Sequence, residues 1–381
     1  MFSSRLPADL RRNRIADALA AHSDELLDLT ESNPTRAGFA YPAERILGAF
    51  LDERALVYDP ESSGLASARA LVAAHHGVSV DRVMLTTSTS EAYAWLFKLL
   101  CDPGDEVLIP RPSYPLFEIL AALESIETRP YPLRHHHGWF VDFDALRAAI
   151  TKRTRAVVVV NPNNPTGSYL KRNELRQIVE ICREHELALI SDEVFADYAL
   201  LPDESRVATL TGVEHALTFS LSGLSKLIGL PQMKLGWMVV SGPAALREQA
   251  MARLEMIADT YLSVGTPVQY ALPELLAVRS EIQAQISRRL AINLDVLRTG
   301  LDPRCTLLEP EGGWCATVRV PHVRNEEQWI LELIAHGVVV QPGYFYDFDS
   351  EAYLVVSLLT RTDIFEKGMR RLSKYVAESC G

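Results

Sequence analysis

Lys226 ends the run Ser222-Gly223-Leu224-Ser225-Lys226, a lysine among small and apolar residues. A lysine in such a turn is either exposed or chemically used, since burial disfavours its ammonium and lowers its pKa toward that of a working amine. Earlier in the chain Ser191-Asp192-Glu193 supplies a carboxylate, and NPNNPTG at 161–167 supplies the amide of Asn164 in a turn fixed by two prolines and a glycine. Earlier still, TTSTSEAY at 86–93 gathers small hydroxyl residues ahead of a helical stretch. Free N–H groups and the positive end of a helix dipole would there suit a phosphate. Singly, each feature has an ordinary explanation: an N-cap, a turn, a strand-end acid pair. As a set they are an anion seat, an amide, a carboxylate and a lysine.

The elements that must position this set alternate helical stretches with short apolar strands. Strands are expected at 83–86, 106–109, 156–160, 187–190, 217–220 and 236–240, with a helix at 91–100. Their β-branched runs lack polar alternation, which suits a mostly parallel sheet with helices on both faces. Each motif falls at the carboxyl end of a strand, where open α/β sheets bind ligands. Beyond 240 the pattern predicts helices at 244–259 and 273–300. A smaller α+β unit follows, with strands near 317–320 and 353–357 and a closing helix from about Asp363. The expected organisation is an arm with part of the small domain at 1–45, a large domain at 46–285 and a small domain at 286–381.

Composition narrows the function. The 381 residues are 48% hydrophobic and 23% charged, with 49 acidic against 38 basic side chains and a net charge of -11, so nucleic acid is a poor partner. No apolar run approaches a membrane span and residues 1–10 carry no apolar signal core, which predicts a cytoplasmic protein. Five cysteines without CxxC spacing read as reduced thiols rather than a disulfide framework or zinc site. His135-His136-His137 reads as a solvated loop, because adjacent residues cannot all aim at one ion, and no metal site is expected.

Pyridoxal 5'-phosphate needs the set found above: a lysine amine for its aldehyde, a carboxylate to keep its ring nitrogen protonated, and a phosphate seat. The sequence resembles the class I/II aminotransferases of fold type I, related to aspartate aminotransferase. The resemblance rests on Tyr58 with Gly64, TTSTSEAY, PSYP at 112–115, NPNNPTG, SDEVF at 191–195, SGLSK at 222–226 with KLGW at 234–237, and Gly312-Gly313-Trp314. It implies that Lys226 forms the Schiff base and shuttles the substrate proton, and that Asp192 holds the pyridinium. Asn164 would bond the phenolic oxygen and Tyr114 would stack on the ring. Ser88, Thr89, Ser90, Ser225 and Lys234 would hold the phosphate, joined by Tyr58 from a neighbouring subunit, so that a homodimer shares its active sites. Asn33-Pro34-Thr35 resembles a loop that closes over substrate.

Three positions depart from that family's pattern. Phe195 replaces a tyrosine that would also donate to the phenolic oxygen. Lys234 replaces an arginine, keeping charge but losing a bidentate fork. Val355 replaces the arginine that normally binds the substrate carboxylate, and no arginine occurs within 353–360, leaving Arg36 and Arg361 as candidate substitutes. The expected activity is exchange of an amino group between an L-amino acid and a 2-oxo acid. Phe39, Trp139, Trp314, Tyr344 and Tyr346 favour an apolar or aromatic side chain. A lyase, cyclase or racemase on the same fold is the alternative, because the cofactor motifs do not separate these reactions.

Overall fold

The computed structural model describes residues 2–7, 9, 11–350 and 352–380. Met1, Ala8 and Leu10 of the amino-terminal stretch read above lie outside the described residues. The large sheet has eight strands in the spatial order Val83–Thr86, Gly236–Ser241, Thr218–Gly223, Ala188–Asp192, Thr154–Val160, Glu106–Arg111, Glu127–His135 and Trp139–Val141. Only Gly236–Ser241 and Trp139–Val141 run against the rest. This is the mostly parallel α/β sheet that the unbroken β-branched runs predict.

Strand alternation divides each run between two packed faces. Ala156, Val158 and Val160 meet one cluster, with Leu96, Phe117 and Leu254 from covering helices. Val157 and Val159 meet the opposite one, with Leu146, Ile178 and Ile181. Burial on both sides leaves backbone ends, turns and loops as the places where polar side chains can gather. The carboxyl edge of Thr154–Val160, Ala188–Asp192 and Thr218–Gly223 therefore carries the polar set.

A second, antiparallel sheet orders Thr306–Leu308, Cys315–Arg319, Tyr353–Ser357 and Gln341–Pro342. Leu27–Asp28 pairs in parallel with Val338–Val339, Ser357 N donates to Leu29 O at 2.7 Å, and Arg14 meets Glu327 at 2.7 Å. The amino-terminal segment is thus laced to the last third of the chain. Among the described residues no helix is long and apolar enough to cross a membrane.

Two expectations are corrected. The helix expected at 273–300 is two helices, Thr266–Ala277 and Arg279–Gly300, broken at Val278, with Pro273 inside the first. The proline that starts a helix is Pro267, in its first turn, where its missing N–H costs nothing. Of the three adjacent histidines, His135 ends the strand Glu127–His135 and packs edge-on to Trp139 at 5.1 Å, while the other two turn the hairpin.

Candidate active site

A cavity of about 450 Å³ opens between the carboxyl edge of the large sheet and the antiparallel sheet, within the roughly 300–1,000 Å³ usual for small-molecule sites. Lys226, Asp192, Asn164, Tyr114, Ser225, Lys234 and the Ser88-Thr89-Ser90 run all line it. Residues spread over the sequence are brought together because successive parallel strands end at the same edge.

Asn164 differs from its neighbours in what its side chain has left to do. Asn161 bonds Val207 O and Leu170 N at 2.8 and 2.9 Å. Asn163 accepts from Ser113 Oγ at 2.9 Å and donates to Pro112 O and Thr166 Oγ1 at 3.1 and 2.9 Å. Both hold the turn. Asn164 has a buried side-chain amide whose Oδ1 has no hydrogen-bond partner among the described residues, so the amide is free to turn and present its NH2 to a ligand oxygen. The turn is clamped in place at Gly167 (φ +70°), where any Cβ would meet Gly312 O at 2.6 Å.

The acid pair separates in the same way. Glu193 accepts from Ser191 Oγ, Thr209 Oγ1 and Leu210 N at 2.9, 2.6 and 2.8 Å, and is structural. Asp192 is buried at the cavity floor, where Val194 N donates at 3.2 Å and Tyr93 Oη at 3.3 Å. Burial pushes its pKa up to about 6, against the lowering pull of those two bonds and of Lys226. A cationic ring nitrogen would complete its environment. Tyr93 lies within the TTSTSEAY run, but its part only becomes visible once helix Thr89–Leu100 turns it toward Asp192.

Lys226 sits in the short helix Leu224–Leu227 after strand Thr218–Gly223. Its Nζ lies 5.0 Å from the centre of the Trp314 ring and 5.5 Å from that of Phe195. Burial lowers its pKa below the usual lysine value, with Cys315 and Asp192 pulling the other way. That favours a neutral amine able to attack a carbonyl. Tyr198 Oη donates to Lys226 O at 2.7 Å and fixes the turn.

At the other end of the cavity Ser88 caps helix Thr89–Leu100 by accepting from Glu91 N at 3.1 Å. Thr89 and Ser90 stand in the first turn, where backbone N–H groups lack helical acceptors. Lys234 also lines the cavity, in the left-handed backbone conformation (φ 52°). Two glycines lining the cavity are needed for space: a Cβ on Gly236 would meet Thr86 Oγ1 at 3.1 Å, and one on Gly223 would meet Gly236 Cα at 2.8 Å. The orphaned amide, the uncompensated acid, the amine and the anion seat fit pyridoxal 5'-phosphate.

Not every candidate is brought here. Tyr58 is 82% exposed and borders a separate cleft with Ser62 and Leu262. Asn33 does not line the cavity; its Oδ1 accepts from Thr35 N and Oγ1 at 3.0 and 2.7 Å, and Thr30 and Ser32 line it instead. Arg36 is exposed, and Arg361 pairs with Asp363 at 3.1 Å at the surface. Neither arginine lines the cavity. Gln341, Ser357 and Cys315 do, and no motif announces them.

This fold with this site defines a pyridoxal-phosphate-dependent transferase of fold type I. Residues 24–364 match the family described as aminotransferase class I and II, and the chain belongs to that family. Glutamate-pyruvate aminotransferase AlaA of Escherichia coli K12 is 26% identical over 95% of this chain and 93% of its own. Alanine aminotransferase of Mycobacterium tuberculosis H37Rv is 28% identical over 95% and 88%. An aminotransferase structure from Escherichia coli superposes with a TM-score of 0.86 at 26% identity, covering 99% of this chain and 98% of that one. Alanine aminotransferase from Pyrococcus furiosus gives a TM-score of 0.86 at 25% identity over 96% and 95%. The protein is a pyridoxal-phosphate-dependent transaminase, and the lyase, cyclase or racemase alternative draws no support from these likenesses.

Proposed function

We propose that this enzyme exchanges an amino group between an L-amino acid and a 2-oxo acid at the cavity of Lys226, and that Lys226 is the residue joined covalently to the cofactor. Bound pyridoxal 5'-phosphate supplies an aldehyde for the amino group and a ring that accepts electrons from the substrate α-carbon. The observation that carries the assignment is Lys226 itself, a buried amine below its usual pKa in the same cavity as Asp192 and Asn164. Its Nζ would hold the cofactor's aldehyde and, when freed by the substrate amine, would carry the proton away from the α-carbon.

The other residues hold and tune. Asp192 would face the ring nitrogen and keep its proton, Asn164 would hydrogen-bond the phenolic oxygen, and Tyr114 would lie against the ring. Ser88, Thr89, Ser90, Ser225 and Lys234 would seat the phosphate. The relatives' printed names, alanine and glutamate-pyruvate aminotransferase, support small amino and oxo acids, whereas Phe195, Trp314 and Tyr346 in the cavity wall favour an apolar or aromatic side chain.

We further propose a cytoplasmic homodimer in which Tyr58 reaches the partner's phosphate. Leu47, Leu51, Leu56 and Val57 are 62–88% exposed beside Tyr58, an apolar patch of the kind that marks a partner surface. Divisions at 1–45, 46–285 and 286–381 are the matching domain proposal, with helix Arg279–Gly300 running across the second boundary. The test of the assignment is borohydride reduction of the holoenzyme followed by peptide mapping. A pyridoxyl group on Lys226 is expected, and one on any other lysine overturns the reading.

A further inference from the structure

The cavity wall opposite the phosphate end carries no formal charge. Cys315 pairs with Ser357 across the antiparallel sheet, and Val355 pairs with both Thr317 and Gln341, so these five side chains share one face. Cys315, Ser357 and Gln341 line the cavity, and Val355 and Thr317 are buried on the same face. Burial pushes the Cys315 thiol up to about 12, so it contributes no anion.

The cations are accounted for elsewhere. Lys226 and Lys234 are the only cationic side chains among the described residues lining the cavity, and the first would hold the cofactor's aldehyde and the second its phosphate. Arg289 donates to Ala37 O and Leu359 O at 3.1 and 3.2 Å, and Arg361, whose side chain lies beside Gly38, pairs with Asp363 at 3.1 Å. A carboxylate brought against this wall would lose its water without meeting a cation.

The wall offers donors: Thr317 Oγ1 and the cavity-lining Trp314 Nε1 are buried with no hydrogen-bond partner among the described residues, and the Gln341 amide adds the one that reaches into the cavity from the facing strand. Ser357 Oγ donates to Glu31 O at 2.6 Å and Thr30 Oγ1 to Asp28 Oδ1 at 2.6 Å, so both hydroxyl protons are spent. Tyr346 Oη donates to Gln341 Oε1, which leaves the Gln341 amide presenting Nε2–H. We propose that the enzyme, besides L-amino acids, accepts amino donors whose substituent at the reacting carbon is uncharged, such as α-amino amides and amino alcohols, and that Gln341 is the specificity-determining residue that hydrogen-bonds it. The inference rests on the transaminase reading of the same cavity. The chemistry balances without an outside oxidant: the donor carbon loses its amino nitrogen and hydrogen and leaves as a carbonyl compound, while the cofactor's aldehyde becomes an amine.

The experiment uses the loaded holoenzyme and reads loss of the cofactor's visible absorbance in single half-reactions. Matched donors are L-phenylalanine, L-phenylalaninamide and L-phenylalaninol, with the same three forms of alanine. The amide's kcat/KM is expected to lie within tenfold of the acid's or above it. An acid preference greater than tenfold overturns the proposal while leaving the transaminase reading intact; this is also how a cation supplied across a subunit interface would show. If no donor bleaches the absorbance, the reading fails and the inference with it. Gln341→Leu, checked for retained cofactor absorbance, should raise KM for the amide at least tenfold with little change in kcat. Gln341→Lys should shift preference toward the acid by more than tenfold. Unchanged kinetics in both variants overturn the assignment to Gln341.

Discussion

Tyr93 Oη donates to Asp192 Oδ2 at 3.3 Å in the buried floor of the cavity, so the acid expected to face the cofactor is held from beneath by a phenol that makes no other hydrogen bond among the described residues. A hydrogen bond to an ionised carboxylate favours the charged form and is worth roughly 1.5–3 kcal/mol. Tyr93→Phe should therefore raise the Asp192 pKa further and weaken its hold on a ring cation. The expected outcome is a fall in kcat of about tenfold, read in steady-state assays, with cofactor absorbance retained. A variant as fast as the parent would show that Tyr93 only packs.

Asp192 makes a second prediction, about the enzyme without cofactor. Its folded pKa of about 6 lies above the ordinary carboxylate value, so between roughly pH 4 and 6 the folded state binds the extra proton. Stability from this group therefore falls as pH rises through that window and stays low above it. Asp192→Asn cannot ionise and escapes the cost. In urea titrations the apo variant should gain on the apo parent as pH rises from 4 to 8, by on the order of 2–3 kcal/mol. The holoenzyme should lose that advantage, because the ring cation favours the ionised acid. Equal pH dependence in the two apo proteins would rule out Asp192 as the titrating group.

Phe195 and Lys234 both line the cavity, the first without a hydrogen-bonding group and the second with a single ammonium rather than a two-pronged guanidinium. Phe195→Tyr adds a phenol near the ring's oxygen, which should stabilise the oxygen as an anion and move the pH of the cofactor's spectral transition downward. Lys234→Arg restores a two-pronged contact to phosphate and should lower the cofactor Kd several-fold, measured by dialysis and reconstitution. A spectral transition at unchanged pH together with an unchanged Kd would mean that neither position reaches the cofactor.

What the sequence made legible follows from local physics. Ala156, Val157, Val158, Val159 and Val160 form a run that only a strand buried on both faces accommodates, and that strand delivers Asn164 to the sheet edge. Glu127–His135 escapes such reading because Pro130, Pro132 and its charges break the pattern. The prolines are tolerated because the outer neighbour, Trp139–Val141, pairs only with 133–135. Pro273 looks like a helix start because its signature is local, whereas the break at Val278 has none. At the substrate wall, Ser32 and Gln341 are far apart in sequence and belong to no motif, and only the pairing of Gln341 with Val355 brings the wall into view. Asn33, the motif residue, is spent on its own turn.

Tyr58 carries the remaining prediction, because its own chain gives it no work in the cavity. Its ring is 82% exposed, and the adjoining segment is tied to helix Ala244–Tyr261 by Ser62 Oγ donating to Asp259 Oδ1 at 2.7 Å. An exposed tyrosine held beside exposed Leu51, Leu56 and Val57 is placed to enter a neighbour, and a two-fold interface would deliver it twice. Tyr58→Ala should then weaken cofactor binding in a dimer of parental size, measured by cofactor titration and light scattering. The decisive measurement mixes two inactive or weakened chains. Lys226→Ala lacks the amine but keeps Tyr58, and Tyr58→Ala keeps the amine, so a hybrid dimer contains one intact site built from both chains. Random reassociation of equal amounts should raise activity at limiting cofactor toward about a quarter of the parental value, the statistical share expected of a two-fold isologous dimer. Activity no higher than the average of the two separate variants would show that Tyr58 serves no partner site.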